Sequence, residues 1–319
     1  MQLGRELLYL SNADIEGMNL PSSDIVDAVE QMFGAKARGE ATMKPKTGLH
    51  AADGTVFLGS AGVLGEPAQA GIKWVGVAAN DGTGLPHIAG TILLSDNHTG
   101  MPLAVMDARW ITGMRTAAIT AVAARRMASA DSSNIAFVAC GLQARMHLEM
   151  LRHDFPLRNV RAFSRRLSTA HSFCEHARET GFTAQAFDSA YDAMAEADIV
   201  ITTTPVVPRT AAFLDCGRTA AGAFIAMVDL GVSWKPETFG ALDLIVTDDR
   251  SQADSENLAN PELYRGEVAD LVAGRIEGRG ARTDRTALIF AGIGLADVAA
   301  AARVYERARE RSIGRILPV

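Results

Sequence analysis

The stretch that most constrains the fold covers residues 134–149, which read Asn-Ile-Ala-Phe-Val-Ala-Cys-Gly-Leu-Gln-Ala-Arg-Met-His-Leu-Glu. A short apolar segment runs into a glycine turn and then into a helical pattern. This layout is typical of doubly wound α/β sheets, in which the N–H groups and dipole of a helix N-terminus hold the pyrophosphate of a dinucleotide. Ala139 stands where the first glycine of that pattern usually lies, so the string alone does not establish a cofactor site.

Strand-like and helical segments alternate after this turn. Such alternation implies parallel strands joined by right-handed crossovers, and it predicts a Rossmann-type doubly wound parallel sheet. Helical patterns cover residues 169–180 and 189–196. The strand-like segments are residues 135–138, 160–163, 183–186, 199–203, 223–228, 242–246 and 287–290.

The two ends of the chain follow a different pattern. An early helix over 22–36 is followed by short β-like runs over 55–59, 71–77 and 88–95, and an alanine-rich helix is predicted over 112–130. A further helix, apolar on one face, is predicted over 297–311. We therefore expect a nucleotide domain, residues 116–292, inserted into a split α+β domain. The two parts of that split domain are residues 1–115 and 293–319.

Composition limits the functional classes. The 319 residues are enough for one large or two ordinary domains, and 48% of them are hydrophobic. A formal net charge of −6 argues against a general binder of nucleic acid or of an anionic membrane. The sequence has no apolar run of membrane-spanning length. The N-terminal residues carry an early acid and lack a signal-peptide cleavage pattern, so we expect a cytoplasmic protein.

Three widely spaced cysteines, Cys140, Cys174 and Cys216, suggest neither a disulfide framework nor a zinc site, and we expect no metal. Cys140 lies in the glycine turn. We interpret it as a small residue that fills a tight turn and not as a nucleophile, because the sequence shows no partnered base for it.

The end of the second predicted strand bears on cofactor choice. An acid at this position binds the ribose hydroxyls of NAD, whereas small or basic residues admit the 2′-phosphate of NADP. Here Ser164 takes the acid's place, and Arg165 and Arg166 supply two guanidinium groups that can bind a phosphate. The alternative is that both arginines are solvated surface charges. We predict that NADP(H) is preferred and that NAD(H) is possible.

The fourth predicted strand ends in threonines at the carboxyl edge of the sheet, where ligands bind in such folds. Thr203 and Thr204 could contact the cofactor ribose or cap the next helix. We also assign Val228, at the end of the fifth strand, to the cofactor site. The predicted cofactor contacts so far are Gly141, Leu142, Gln143, Ser164, Arg165, Arg166, Thr203, Thr204 and Val228.

Several motifs, in order along the chain, resemble the ornithine cyclodeaminase/mu-crystallin family. The most specific pair is Arg-Thr-Ala-Ala at 115–118 with Gly-Leu-Gln-Ala at 141–144. Supporting matches lie at 70–75, 99–107 and 290–297. The resemblance extends from about residue 40 to residue 305 and thus covers most of the chain.

The resemblance implies a homodimer in which the split domain makes the subunit contact, a nicotinamide cofactor, and a small amino-acid or imino-acid substrate. It places the substrate carboxylate on Lys46, Lys73 and Arg115, and it turns Thr116 toward the cofactor phosphates. The family more often has arginine where this chain has Lys46. A lysine ammonium is a point charge and does not form the paired hydrogen bonds that an arginine guanidinium makes with a carboxylate. Lys73 lies within an apolar run, so it needs a partner or a function.

One departure from the family concerns the reaction. Deaminating cyclases of the family carry an aspartate after the fifth strand, and an ungapped match puts Gly231 there, with Asp229 two residues earlier. Asp229 either takes over proton transfer to the amine, in a re-routed loop, or caps the next turn. The missing aspartate favours redox chemistry over ornithine cyclisation.

The leading hypothesis is an NAD(P)H-dependent ketimine reductase or amino-acid dehydrogenase. Lys46, Lys73 and Arg115 would hold the carboxylate, and Lys73 or Asp229 would transfer the proton at nitrogen. Positioning of donor and acceptor would supply much of the rate. One alternative is an ornithine cyclodeaminase, or a related amino-acid synthase or lyase, that recycles the hydride. Another is an NADPH-binding protein with little catalysis.

Overall fold

A computed structural model describes residues 2–80, 82–205, 211–255 and 261–319. The chain divides into two compact units, of which the first comprises Met1–Arg115 together with Ile293–Val319 and the second comprises Thr116–Gly292. The first unit is thus made from both ends of the chain. Its predicted roles in substrate binding and dimerisation stay predictions. In the described part of the chain, no helix is both long and apolar enough to cross a membrane.

The first unit contains a mixed sheet and three helices of its own, together with the first residues of a fourth. The strands are β1 (Glu6–Leu10), β2 (Ala41–Met43), β3 (Thr47–His50), β4 (Val56–Leu64), β5 (Gln69–Val77), β6 (Ile88–Asp96), β7 (Pro102–Asp107) and β16 (Arg315–Pro318). The helices are α1 (Asn12–Gly17), α2 (Ser22–Arg38), α9 (Gly294–Arg311) and the start of α3 (Arg109–Met127). The strand order is β16-β1-β7-β6-β5-β4-β2, and β3 pairs with β4. β1 and β7 run parallel, and the other pairs are antiparallel.

Helix α9 covers one face of this sheet at close range. A Cβ atom at Gly62 of β4 would lie 2.9 Å from the Leu295 side chain, and one at Gly71 of β5 would lie 3.1 Å from Val298. The two glycines therefore let the alanine-rich helix approach the strands closely. Side chains alternate between the faces of a strand, so Lys73 is buried with this inner face while Trp74 points to the other, more exposed one.

The second unit is a Rossmann-type domain. Its strands are β8 (Asn134–Val138), β9 (Asn159–Phe163), β10 (Thr183–Ala186), β11 (Ile199–Thr202), β12 (Phe224–Met227), β13 (Leu244–Thr247), β14 (Gly266–Glu267) and β15 (Thr286–Ile289). Its helices are the rest of α3, α4 (Leu142–Leu151), α5 (Leu167–Glu179), α6 (Ala190–Met194), α7 (Arg250–Ser255) and α8 (Val268–Val272), with 3₁₀ turns at Cys216–Arg218, Pro236–Ala241 and Pro261–Leu263.

The eight strands that the structure describes in the second unit pair in parallel, in the order β10-β9-β8-β11-β12-β15-β13-β14. The chain winds outward from β8 through β9 to β10 and then returns to β11 on the other side. This reversal is the switch point at which such sheets bind ligands beyond the carboxyl ends of their strands. The predicted fold class, a doubly wound parallel sheet with a split α+β domain, is confirmed.

The structure differs from the sequence-based expectation mainly in the first unit. β4 continues to Leu64, whereas the apolar pattern predicts a strand only over residues 55–59. The part of β4 after residue 59 contains small residues, and these form a strand because they pack against α9. β16 consists of exposed residues and forms through pairing with β1, so its own sequence carries little strand signal.

Candidate functional site

The glycine turn of the second unit joins β8 to α4 and leaves an open helix N-terminus. Gly141 is the N-cap of α4 and no side chain caps the helix. A Cβ atom at Gly141 would meet nothing within 4 Å. The Gln143 Oε1 atom is buried and has no hydrogen-bond partner among the described residues. Exposed Leu142 lies between them. The first-turn N–H groups of a helix have no partner within it, so these residues fit the phosphates of a dinucleotide.

Two residues before Gly141, the backbone adopts a left-handed conformation. Ala139 has a φ of +73°, a region that favours glycine. The Cys140 N–H donates to Ser164 Oγ at 3.0 Å, which ties the turn to the end of β9. Cys140 is buried, and burial raises the pKa of its thiol to about 11. This environment suits a residue that fills the turn and not a nucleophile.

The end of β9 borders a cavity of about 360 Å³ lined by Phe163, Ser164, Arg165, Leu167, Asp188 and Phe213. Ser164 and Arg165 thus line one cavity, and their predicted contacts with a cofactor stay a prediction. Arg166 is the exposed N-cap residue of α5 and is not among the described residues that line this cavity.

The threonines at the end of β11 are engaged within the protein. The Thr203 hydroxyl donates to the Ala139 carbonyl at 2.9 Å and so supports the glycine turn. The Thr204 hydroxyl donates to Asp229 Oδ2 at 2.9 Å. Half-buried Val228, just after β12, donates its N–H to the Thr202 carbonyl at 3.0 Å. Any contact of these residues with a cofactor stays a prediction.

The Asp229 carboxylate accepts hydrogen bonds from side chains within the second unit. Its Oδ1 accepts from the Thr202 hydroxyl at 2.9 Å, and its Oδ2 accepts from the hydroxyls of Thr204 and Ser233. The side chain is 3% exposed, and burial raises the pKa of this carboxyl above its usual value. Three internal hydroxyls thus bond to the carboxylate, and the predicted proton transfer by Asp229 stays a prediction.

The turn after Asp229 contains two consecutive residues with positive φ angles. Gly231, which takes the place of the family aspartate, has a φ of +68°, and Leu230 before it has a φ of +60°. The backbone at Gly231 thus adopts the conformation that glycine takes most readily.

A buried charge cluster lies in the first unit. Lys73 on β5 donates from Nζ to Asp297 Oδ1 at 2.8 Å, and Arg115 on α3 donates from Nε to the same oxygen at 2.9 Å. The Thr112 hydroxyl lies 3.4 Å from Lys73 Nζ. The two cations converge on one carboxylate oxygen, which satisfies the need of buried charges for a partner.

The burial and the charges of this cluster change the pKa of Lys73. Burial lowers the pKa of Lys73 to about 8, and the positive charge of Arg115 acts in the same direction. Asp297 opposes both effects, while half-buried Lys46, between β2 and β3, adds to the lowering. The three predicted carboxylate ligands thus share one electrostatic environment. With a pKa near 8, Lys73 can give or take a proton near neutral pH.

Asp297 is the residue that the sequence reasoning missed. It lies in the first turn of α9 and is 2% exposed. Its position within Phe290–Asp297 marked the family motif without indicating a role. The available signal was an acid at the start of an alanine-rich apolar helix, in a chain whose Lys73 required a buried partner. Thr116, the next residue after Arg115, is buried in the second unit.

A Rossmann-type unit with an open glycine turn, together with a unit that buries a cation cluster around one carboxylate, defines the class: an NAD(P)-dependent oxidoreductase. The ornithine cyclodeaminase/mu-crystallin family matches residues 5–312. The chain belongs to this family.

Individual relatives agree with this assignment. Alanine dehydrogenase of Archaeoglobus fulgidus is 30% identical over 326 residues, which cover 97% of each chain. The structure of Delta(1)-pyrroline-2-carboxylate reductase of Thermococcus litoralis with NADH and L-proline superposes with a TM-score of 0.88, at 25% identity, over 97% of this chain and 99% of that one. An archaeal alanine dehydrogenase dimer with bound NAD gives a TM-score of 0.86 at 28% identity, over 98% and 99% of the two chains.

Proposed function

We propose that this chain is an NAD(P)H-dependent reductase of small α-imino acids that also works in reverse as an amino-acid dehydrogenase. The observation that carries the proposal is the convergence of Lys73 and Arg115 on Asp297. Two buried cations share one anion, so the cluster has positive charge left for a substrate carboxylate. Relatives that act on alanine or on pyrroline-2-carboxylate support this substrate class.

Three residues of the first unit would have distinct roles in the reaction. Arg115 and Lys46 bind and orient the carboxylate, while Lys73 lies beside them with a pKa near 8. Lys73 then donates its proton to the imine nitrogen in the reductive direction and accepts it in the oxidative one. A nicotinamide, when bound, would supply the hydride for the carbon of the C=N bond. Positioning of substrate and hydride donor would supply much of the rate.

The test is an assay of the purified chain with NADPH or NADH and cyclic and acyclic ketimino acids, including pyrroline-2-carboxylate. The expected result is loss of the reduced nucleotide together with formation of the amino acid. Lys73→Met should abolish reduction and leave nucleotide affinity intact, and Lys44→Met, on an exposed neighbour of Lys46, is the matched control. Ammonia release from a diamino acid without net nucleotide oxidation would favour a cyclodeaminase. Tight binding without turnover would indicate a binding protein.

The finer cofactor assignment is a preference for NADP(H). Ser164 in place of an acid, and Arg165 in the cavity at the end of β9, support it. Arg165→Ala should weaken NADPH binding about tenfold or more, as expected for a lost charge-assisted bond, and should leave NADH binding almost unchanged. Arg158→Ala, at an exposed arginine just before the start of β9, serves as the control. Equal effects of Arg165→Ala on both nucleotides would contradict the assignment.

The assembly we expect is a homodimer formed through the outer face of the first sheet. On that face Ile72 of β5 pairs directly with Leu93 of β6. Trp74 lies two positions after Ile72 on β5, and Val63 of β4 pairs with Ala70, two positions before Ile72. The four large side chains are more than a third exposed, and an apolar patch of this kind is typical of an interface. Ile72→Lys should shift sedimentation from dimer to monomer, whereas Leu263→Lys, at an exposed apolar position of the second unit, should not.

A further inference from the structure

The cavity at the carboxyl edge of β9 and β10 contains one acid that the proposed function does not use. Ala162 of β9 pairs with Ala186 of β10, and Ser164 and Asp188 each lie two residues beyond that pair. They therefore follow the ends of two neighbouring strands, which lie about 5 Å apart in the direction of pairing, and both line the cavity. Arg165 lines the same cavity.

Among the described residues, the rest of the lining is apolar and consists of Phe163, Leu167 and Phe213. Leu167 is 40% exposed and Phe213 is 39% exposed. Large apolar side chains exposed in a cavity favour a flat aromatic ligand that covers them. The cavity is therefore suited to a heteroaromatic base.

The Asp188 carboxylate can only accept hydrogen bonds. Within the described ranges of the chain, no group donates a hydrogen bond to it or pairs with its charge, although its neighbour Ser189 caps α6. A carboxylate at the rim of an apolar cavity fits a ligand that carries N–H donors on an aromatic ring. It disfavours a phosphate, because two negative charges repel each other.

Arg165 and Asp188 thus suit different parts of one ligand. The Arg165 guanidinium can bind an anion through two of its N–H groups, and the Asp188 carboxylate can accept hydrogen bonds from an uncharged N–H group. In a nicotinamide dinucleotide, the 2′-phosphate of NADP is such an anion and the exocyclic amino group of adenine is such a donor.

We propose that Asp188 recognises the adenine base of the cofactor by accepting a hydrogen bond from its exocyclic amino group, and that it thereby sets base specificity. This inference rests on the proposed function insofar as it requires a nicotinamide dinucleotide. The hypoxanthine dinucleotide carries a carbonyl in place of the amino group. Its oxygen would face the Asp188 carboxylate, so two acceptors would oppose each other.

The experiment is a fluorescence titration with NADH and with reduced nicotinamide hypoxanthine dinucleotide. Wild-type protein should bind NADH at least tenfold more tightly, as expected for a hydrogen bond to a charged group. Asp188→Asn should bind both nucleotides about equally, because an amide offers a donor as well as an acceptor. Asp254→Asn, at an exposed acid of α7, should keep the wild-type ratio.

The outcomes separate this inference from the proposed function. If wild type binds both nucleotides equally, or if Asp188→Asn keeps the discrimination, the role of Asp188 is wrong while the cofactor assignment stands. If wild type binds neither nucleotide, the proposed function fails and the base site fails with it. The ratio of NADPH to NADH affinity should be the same in wild type and Asp188→Asn. A changed ratio would place Asp188 at the ribose and overturn the assignment to the base.

Discussion

Lys73 Nζ lies 2.8 Å from Asp297 Oδ1, and both side chains are more than nine-tenths buried. The same oxygen accepts a bond from Arg115, so one carboxylate holds two cations that would otherwise repel each other. Such a pair is costly to break, since removing the anion leaves uncompensated buried charge. Asp297 therefore fixes the position and the protonation of Lys73 together.

The first prediction is the pH dependence of imine reduction. Lys73 is protonated below its pKa of about 8 and neutral above it. If its ammonium donates the proton, kcat/KM for reduction falls as the pH rises through about 8. In the oxidative direction the neutral amine is the base, and kcat/KM rises over the same range. Initial rates measured from pH 6 to 10 check both limbs, and a profile flat in both directions would contradict the role of Lys73.

The substitution Asp297→Asn should shift the pH range over which kcat/KM for reduction falls. Loss of the negative charge lowers the pKa of Lys73 below about 8, because the opposing effects of burial and Arg115 remain. The reductive limb should shift to lower pH, and the free energy of unfolding should fall by about 3–5 kcal/mol. Asp24→Asn is the control, since Asp24 also pairs with arginines of α9 but at a more exposed position. An unshifted profile in a folded Asp297→Asn protein would mean that Asp297 only stabilises the fold.

Much of the nucleotide unit is predictable because its signals are local. The strand, glycine turn and helix around Gly141 follow from adjacent residues, and parallel pairing follows from the alternation of elements. Ser164 and Arg165 fall at a strand end that periodicity locates. The Asp297 interaction is different, because it joins residues 224 positions apart in sequence. Likewise, strand β16 forms by pairing with β1 at the other end of the chain. The local sequence pattern therefore predicts neither the Lys73–Asp297 interaction nor β16.

For Asp229, proton transfer and a purely structural role lead to different expected results. Its position near the family aspartate suggested proton transfer, but sequence could not reveal that hydroxyls of Thr202, Thr204 and Ser233 would surround it. Asp229→Asn should lower the free energy of unfolding by about 1–3 kcal/mol. It should reduce kcat for imine reduction less than tenfold, while Lys73→Met abolishes the reaction. A thousandfold loss of kcat in a folded variant would support the catalytic assignment.

Ala139 at the glycine turn offers a test of backbone strain. A side chain at φ +73° costs about 1–2 kcal/mol relative to a right-handed conformation, and glycine does not bear this cost. After the larger chain entropy that glycine loses on folding, Ala139→Gly should stabilise the protein by about 1 kcal/mol and preserve nucleotide affinity. Ala136→Gly, in the buried strand β8, should destabilise it. Equilibrium unfolding in urea measures both, and a destabilised Ala139→Gly protein would contradict the argument.

His147 predicts acid sensitivity of the nucleotide unit. It is fully buried on α4, where its Nε2 lies 2.9 Å from the Thr120 hydroxyl and its Nδ1 lies 2.8 Å from the Gln143 carbonyl. Burial lowers its pKa from 6.5 to about 4. Between these values the unfolded chain binds the proton that the folded chain excludes, so stability falls as the pH drops from 6.5 to 4.

The size of this effect follows from about 1.4 kcal/mol per pKa unit, which gives roughly 3 kcal/mol for the shift of His147. His147→Gln removes the titrating group and should flatten the dependence of unfolding free energy on pH between 4 and 6.5, even if the variant is less stable at pH 7. His171→Gln, on an exposed face of α5, is the control and should keep the wild-type slope. An equal slope in wild type and His147→Gln would show that other groups govern the acid response.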